Sequence, residues 1–341
     1  MRIATYNVEW FSSLFGDDDV LLDGNGWSAR YNVTRAQQLD ALNIVFTALN
    51  ADAVMIIEAP DTSKKSNTVK ALEFFAQKFK LRARKAVTGF TNDTQQEIAL
   101  LYDPEKISVR HDPQEGNSAD KVSLQAPRFD RELRIDLDID AKEDRVNFSK
   151  PPLELAVKTA AGFEFRMIGA HLKSKAPHGA KTDDEVMRIS IANRRKQLAQ
   201  AIWLRRRIEA VTADDTPLML LGDLNDGPGL DEYEHLFGRS SVEIILGQGD
   251  GTDLFDPHAK RALQHRFNAV PTTARFWIHP EKRFLQALLD YIMISPEFML
   301  RDPVWRIWHP LDDPECWART TLREALVTAS DHFPVTLDID I

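Results

Sequence analysis

The sequence predicts a mixed α/β fold in which two packed, mostly antiparallel β-sheets carry helices on their outer faces. Three observations point there. Short apolar strand candidates recur from end to end, too many and too often alternating for a purely parallel, doubly wound sheet. Clear helical periodicity interrupts them in three places. No internal repeat, low-complexity tract or Pro/Gly/Ser-rich linker divides the 341 residues. One domain over 1–341 is therefore expected, although length alone suggests two.

Taken in order, the first strand candidate is Arg2–Val8. A helical stripe of Leu39, Leu42, Phe46 and Leu49 follows a cap candidate at Thr34. The apolar run Ala53–Glu58 reads as a strand, and Val69, Leu72, Phe75 and Phe79 make a second helical stripe after Ser66. Ile98–Tyr102 is the next strand candidate. In Leu133–Ile139 the apolar Leu133, Ile135, Leu137 and Ile139 alternate with Arg134, Asp136 and Asp138, as in a strand with one buried face. Leu153–Lys158 and Phe163–Ala170 precede the longest helical pattern, about Asp183 to Val211. Thr182 opens it with Glu185 three residues on, a capping-box spacing. Pro217–Gly222, Leu289–Ile294 and the alternating Val335–Ile341 complete the set. Phe11–Val33, Arg110–Asp130, Asp226–Leu285 and Phe298–Ser330 lack clear periodicity. Loops of that length in a compact domain are usually functional or disordered, and the last two hold Trp277, Trp305, Trp308 and Trp317, so they are expected to pack.

Composition narrows the class. Hydrophobic residues are 43% of the chain, aromatics 9% and charged residues 28%, an ordinary globular mix. The longest charge-free stretch, Ala41–Ala51, is far too short to span a bilayer. The start MRIATYNVEWF lacks the apolar run and cleavage site of a secretory leader, so the expected location is the cytoplasm, a trimmed secreted form being the other option. A single cysteine, Cys316, excludes an internal disulfide and a cysteine-rich zinc site, and is expected to be an inert thiol. Lys and Arg number 43 against 52 Asp and Glu, a net charge of −9. The basic surplus of a non-specific nucleic-acid coat is absent, whereas a carboxylate cluster holding a divalent cation is compatible with this balance.

The chemistry-bearing residues gather at strand ends. Asn7 and Glu9 close the first strand, two residues apart and so able to face one side. Glu58 ends AVMIIE, His171 follows FRMIGA, and Asp223 and Asn225 end PLMLLGDLND. Asp290 lies inside LLDYIMI, and Asp331 with His332 precedes the last strand in SDHFPV. Any one Asp or Asn after a strand is most often a turn residue, and a single His is more often structural than catalytic. Asp290 is harder to dismiss, since a carboxylate among leucines needs a cation or a donor, and the His332 ring N–H is the natural one. Seven such sites together outweigh the separate bland readings.

Together the segments TYNVEWF, IIEAPD, GAHLKSK, LLGDLND, LLDYIMIS and SDHFPV resemble, in order and across essentially the whole chain, the endonuclease/exonuclease/phosphatase superfamily with its DNase I-like fold. The resemblance implies a four-layer α/β/β/α sandwich with the active site at one rim. It implies Glu58 as the principal Mg²⁺ ligand (Mn²⁺ being a possible substitute), supported by Glu9 and Asp331. It implies that Asn7 and Asn225 contact phosphate oxygens, that Asp223 orients or deprotonates the attacking water, and that Asp290 and His332 pair beside the scissile phosphate. His171 matches the second histidine of DNase I-like and sphingomyelinase-like members, where abasic-site endonucleases typically carry tyrosine. Two positions depart: Ile57 stands where the family commonly has Gln, and Lys150 where it often has Arg.

The residues support this chemistry without the family. Phosphodiester hydrolysis needs an in-line nucleophile and stabilisation of growing negative charge, which a hard cation held by carboxylates supplies. A carboxylate-oriented histidine moves or stabilises a proton. The expected function is a divalent-metal-dependent phosphodiester hydrolase, a nuclease on DNA or RNA. The alternative is a phosphoesterase on small or lipid-linked phosphates, such as an inositol-phosphate phosphatase or a sphingomyelinase-like enzyme. A catalytically dead binding module is a third option, which the costly buried carboxylates disfavour. Lys173 and Lys175 are candidate phosphate contacts. The run Arg205, Arg206 and Arg207 is expected to be solvated, since consecutive helix positions spread widely round the axis. His178, His258, His265 and His279 show no telling partner spacing.

Overall fold

The computed structural model describes residues 1–115, 126–136, 143–227, 237–247, 251–264, 270–278 and 282–341. The first strands are β1 (Arg2–Asn7), β2 (Ala53–Ala59), β3 (Lys85–Thr88), β4 (Glu97–Tyr102) and β5 (Ile107–His111). Then come β6 (Leu133–Ile135), β7 (Asp144–Val146), β8 (Leu153–Thr159), β9 (Glu164–His171) and β10 (Leu218–Asp223). The last are β11 (Ala274–Ile278), β12 (Arg283–Ala287), β13 (Asp290–Ile294), β14 (Val304–Ile307) and β15 (Val335–Asp338). Helices are α1 (Arg35–Leu49), α2 (Thr68–Lys78), α3 (Asp183–Thr212), α4 (Ser241–Leu246), α5 (Pro257–Leu263), α6 (Pro314–Ala318) and α7 (Thr320–Ala329).

Two large sheets result, ordered β14-β15-β1-β2-β4-β3 and β13-β10-β9-β8-β5. Only β1–β2 and β9–β10 run parallel; the other pairs are antiparallel. The central strands are apolar on both faces, and alternation decides which layer each residue joins. In β2, Val54 and Ile56 pack with α1, α2 and α7, while Met55 and Ile57 enter the seam between the sheets. In β10, Leu218 and Leu220 meet α3, α4 and α5, while Met219 and Leu221 face the seam. Three apolar layers thus separate helices, sheet, sheet and helices, the α/β/β/α sandwich the sequence predicts.

The caps explain the helix starts. Thr34 and Gln37 form a reciprocal capping box on α1. The cap of α2 is Asn67 rather than Ser66, its side chain accepting from the Lys70 amide at 3.0 Å. Thr182 accepts from the Glu185 amide, but the Glu185 carboxylate turns back one residue further, to the Lys181 amide.

Elsewhere the sequence expectations need correction. The stretch Asp226–Leu285 contains α4, α5, β11 and the start of β12, its antiparallel partner, and Phe298–Ser330 contains β14, α6 and α7. The Leu133–Ile139 strand is a three-residue arm of the small β6–β7 ribbon. Its continuation through Leu137 to Ile139 lies outside the described residues, as do His265 and His279. Arg205 and Arg207 are buried, not solvated. Their guanidinium groups donate to loop carbonyls that α3 covers, Arg205 to Thr252 at 2.9 Å and Arg207 to Ala126 at 2.8 Å. Cys316 is buried and its thiol is pushed up to about 12, mainly by burial. No helix among the described residues is long and apolar enough to cross a membrane.

Arg207 also faces the buried Glu154 carboxylate at 3.4 Å. Burial pushes that carboxyl up to about 7, against the opposing pull of Arg207. A folded pKa above the ordinary 4.5 means the folded state binds the extra proton, so this stability is full below that value and lost as pH rises through 7. Glu154→Gln is expected to match the parent near pH 4 and to be more stable at pH 8, by on the order of 2–3 kcal/mol. Urea titrations at the two pH values measure it. An equal stability difference at both would refute the assignment.

Candidate active site

The seam explains where the polar strand ends meet. Ile3 of β1 faces the seam, so Asn7 at the same parity does too. Phe165 and Met167 give the same direction to His171, Met219 and Leu221 to Asp223, and Ile292 and Ile294 to Asp290. Asp223 is the direct register partner of both His171 and Asp290. At this end the apolar filling stops and polar groups from both sheets close over it.

Glu58 breaks the parity. Continuing β2 regularly would aim it at the helices with Val54 and Ile56. Instead the β2–β4 register shifts between Ile57 and Ala59, and Glu58 adopts φ 61. A bulge re-aims a side chain in this way, at the cost of a left-handed backbone for a residue with a Cβ. The turned carboxylate accepts from the Gln96 side-chain amide at 2.7 Å and from the Trp10 amide at 3.4 Å. Gln96 supplies a side-chain amide to the carboxylate that Ile57 cannot offer.

Asp290 and His332 are joined by a 2.8 Å bond between Oδ2 and Nδ1. The Thr273 hydroxyl accepts from the amides of Leu289 and Asp290, each at 2.9 Å, and fixes the start of β13. Burial alone would lower the His332 pKa, but the Asp290 and Asp223 carboxylates carry it well above the ordinary value, with Asp331 adding to them. The free Nε2 lies 3.9 Å from Asp223 Oδ2 and 4.0 Å from Asp331 Oδ1. Asp223 accepts from the Asn7 side chain at 3.0 Å and from the Asn225 amide at 2.8 Å. Burial nonetheless raises it to about 7; the His332 charge opposes the rise and Asp290 adds to it. His171 Nε2 is 3.7 Å from Asp223, and burial, then Lys150 and His332, push its pKa well down, so it is neutral at pH 7.

An open cleft of about 640 Å³ collects these groups. Asn7, Glu9, Glu58, His171, Lys173, Asp223, Asn225, Asp331 and His332 all line it. Asp290 stands behind His332. Lys175 does not line it: its ammonium is 2.5 Å from the buried Asp226 carboxylate, so it staples the GAHLKSK and LLGDLND segments together. Asn7 and Asn225 line the cleft beside Asp223. Both amide nitrogens reach Asp223 Oδ2, at 3.0 and 3.3 Å, and Asn225 additionally donates to the Leu172 carbonyl. The Asn7 Oδ1 atom is buried without a hydrogen-bond partner. His178 lines the cleft as well.

Several members of the site carried little or no sequence signal. Gln96 and Thr273 act through hydrogen bonds made across long separations. Arg30, in an aperiodic stretch, pairs with Glu9. Lys150 lines the cleft, and there burial lowers its pKa while Glu58 and Asp223 hold it up.

The donor set fits a hard divalent cation. Glu9, Glu58 and Asp331 bring oxygen ligands to a cleft that Asn7, with its partnerless Oδ1, also lines. Burial and repulsion from Asp331 push Glu9 up to about 7, a crowding that a cation would relieve. Asp223, Asp290 and His332 also place one ligand atom each within 4.8 Å of one another and could hold a metal, although His332 Nδ1 is engaged by Asp290.

No curated protein sequence matches the chain. Solved structures do, over its whole length. TDP2 from Caenorhabditis elegans superposes with a TM-score of 0.52 at 13% identity, covering 100% of this chain and 74% of that one. TDP2 of D. rerio complexed with single strand DNA product gives 0.50 at 12%, covering 100% and 99%. An endonuclease/exonuclease/phosphatase family protein from Bacteroides thetaiotaomicron gives 0.50 at 14%, covering 99% and 97%. At these identities the likeness speaks to the fold, which is the DNase I-like one. The family assignment comes from sequence: the model of the Endonuclease/Exonuclease/phosphatase family matches residues 4–332. From β1 to His332, this chain belongs to that family of phosphoester hydrolases.

Proposed function

We propose that the whole chain serves as one catalytic domain that hydrolyses phosphodiesters with a divalent cation, Mg²⁺ or Mn²⁺, and that its substrate is nucleic acid. The observation that carries this reading is the buried Asp290–His332 bond, with the free His332 nitrogen turned toward Asp223 in a cleft walled by further carboxylates and lysines. Glu58, Glu9 and Asp331 would hold the cation. When bound, it supplies Lewis-acid neutralisation of charge growing on the phosphoryl oxygens, several kcal/mol in such sites.

The remaining steps belong to side chains. Asp223, raised toward neutrality and oriented by Asn7 and Asn225, is matched to take a proton from an attacking water. His332, held charged by Asp290, presents a proton at Nε2 to phosphoryl or leaving oxygen. Neutral His171 packs beside Asp223 and offers a hydrogen bond rather than a charge. Lys150 and Lys173 add positive charge for the phosphate.

Hydrolysis of bis(p-nitrophenyl) phosphate beside the monoester tests the reading. Diester cleavage in Mg²⁺ or Mn²⁺, abolished by EDTA and by Asp223→Ala, is the expected result. Monoester cleavage alone would replace it with a phosphatase.

A further inference from the structure

One exposed side chain in the cleft has no part in the chemistry above: the Trp10 indole. The residue is 48% exposed, it lines the cleft, and its backbone holds the left-handed φ of 57. Such a conformation is unfavourable for a bulky side chain, and an indole gains by being buried. The backbone cost is met here by fixed local bonds, while the exposure of the ring is not. Trp10 donates its amide to Glu58, and its carbonyl accepts from the Ser13 hydroxyl at 2.7 Å. Ser12 ties the same turn to the Gln95 carbonyl, beside the Gln96 that holds Glu58. The turn that positions the carboxylate therefore also keeps a large planar ring in the open cleft.

We propose that Trp10 is a stacking platform for the nucleobase next to the scissile phosphate, an inference that rests on the nucleic-acid reading above. Among the described residues, the cleft is lined by only two apolar side chains, Trp10 and the buried Leu172. An acyl chain needs a continuous apolar trough, which these two side chains do not make. A nucleotide asks for something different: one flat apolar face for the base and cationic groups for the phosphate. The indole supplies the first, and Lys150 and Lys173 in the same cleft supply the second. Base–aromatic stacking tolerates every base, so this platform adds affinity without a sequence preference. It also calls for an unpaired base, which favours single-stranded substrate over duplex.

Fluorescence anisotropy tests the platform in EDTA, with a labelled four-nucleotide single strand and its abasic counterpart carrying tetrahydrofuran residues. The parent protein is expected to bind the base-bearing strand roughly 5- to 150-fold more tightly. Trp10→Ala should bring the two dissociation constants within about threefold. Trp10→Phe should keep most of the preference, while Trp10→Leu, apolar but not planar, should lose it. Equal affinity of the parent protein for both strands, including none for either, overturns the platform, as does a preference that survives in Trp10→Ala. Competition by a hexose monophosphate stronger than by a nucleoside monophosphate overturns it too. Cleavage of the same strands in Mg²⁺ separates the two levels. A parent protein that cuts both strands but prefers neither has lost only the stacking site. One that cuts no oligonucleotide removes the nucleic-acid reading and the platform with it.

Discussion

His332→Ala is expected to lower kcat/KM for a phosphodiester by on the order of 10³ or more, with the fold retained. The magnitude follows from what the ring holds. Two carboxylates keep it protonated in a buried place, so its removal takes away both a proton donor and a fixed positive charge. The alanine also leaves the Asp290 carboxylate buried with no cationic neighbour at its Oδ2 atom. Asp290→Asn discriminates between these effects. An amide oxygen still accepts from Nδ1 and keeps the ring oriented, but it no longer stabilises the imidazolium. Its loss should be smaller than that of His332→Ala and should ease as pH falls, because lower pH restores the ring proton. Near-UV circular dichroism matching the parent spectrum confirms the fold. Activity within tenfold of the parent for His332→Ala would remove this histidine from the mechanism.

The largest loss of stability is expected at a residue with no side chain. Gly222 has φ 140, and a Cβ added there would overlap the Ala170 carbonyl oxygen and press on the Ala170 nitrogen at 3.0 Å. Its strand cannot retreat, since β10 is hydrogen-bonded to β9 on one side and β13 on the other. Gly222→Ala should therefore cost about 4 kcal/mol or more, enough to leave a domain of ordinary stability largely unfolded. Soluble yield and thermal melting measure it directly. What folded protein remains should be poorly active, because the next residue is Asp223 and its register against His171 and Asp290 is displaced. A melting temperature within a few degrees of the parent would show that the strand yields more readily than its pairing implies.

The legible parts of this site share a physical cause. A carboxylate inside an apolar run, such as Asp290 in LLDYIMI, announces a buried partner, and polar residues two apart at a strand end announce a shared face. Those constraints are local and visible in one dimension. Glu58 was legible as a residue but not as a direction, because the bulge that turns it depends on pairing with β4 forty residues later. Gln96, Thr273 and Arg30 gave no signal, since each acts through a bond to a distant segment. The Lys175 partner was hidden for the same reason: its ammonium meets Asp226 fifty-one residues on. The edge strands β3, β5 and β14 are short and partly exposed, so their apolar patterns were too weak to separate from loop. Arg205 and Arg207 looked like surface because charge counts cannot foresee loop carbonyls waiting for donors.

The placement of Asn7 and Asp223 has a mechanical consequence. Asn7 ends a strand of one sheet and Asp223 a strand of the other, so their 3.0 Å bond spans the seam. Neither half of the sandwich holds the whole candidate site by itself. Gly169 sits deeper in the same seam, where a Cβ would crowd Met55 and Ile98 of the opposite sheet, so the two halves touch closely. The packing of the two sheets is thus what brings the candidate site together. The candidate site is a gauge of alignment between two slabs: a slip between them parts Asn7 from Asp223 while every strand keeps its pairing.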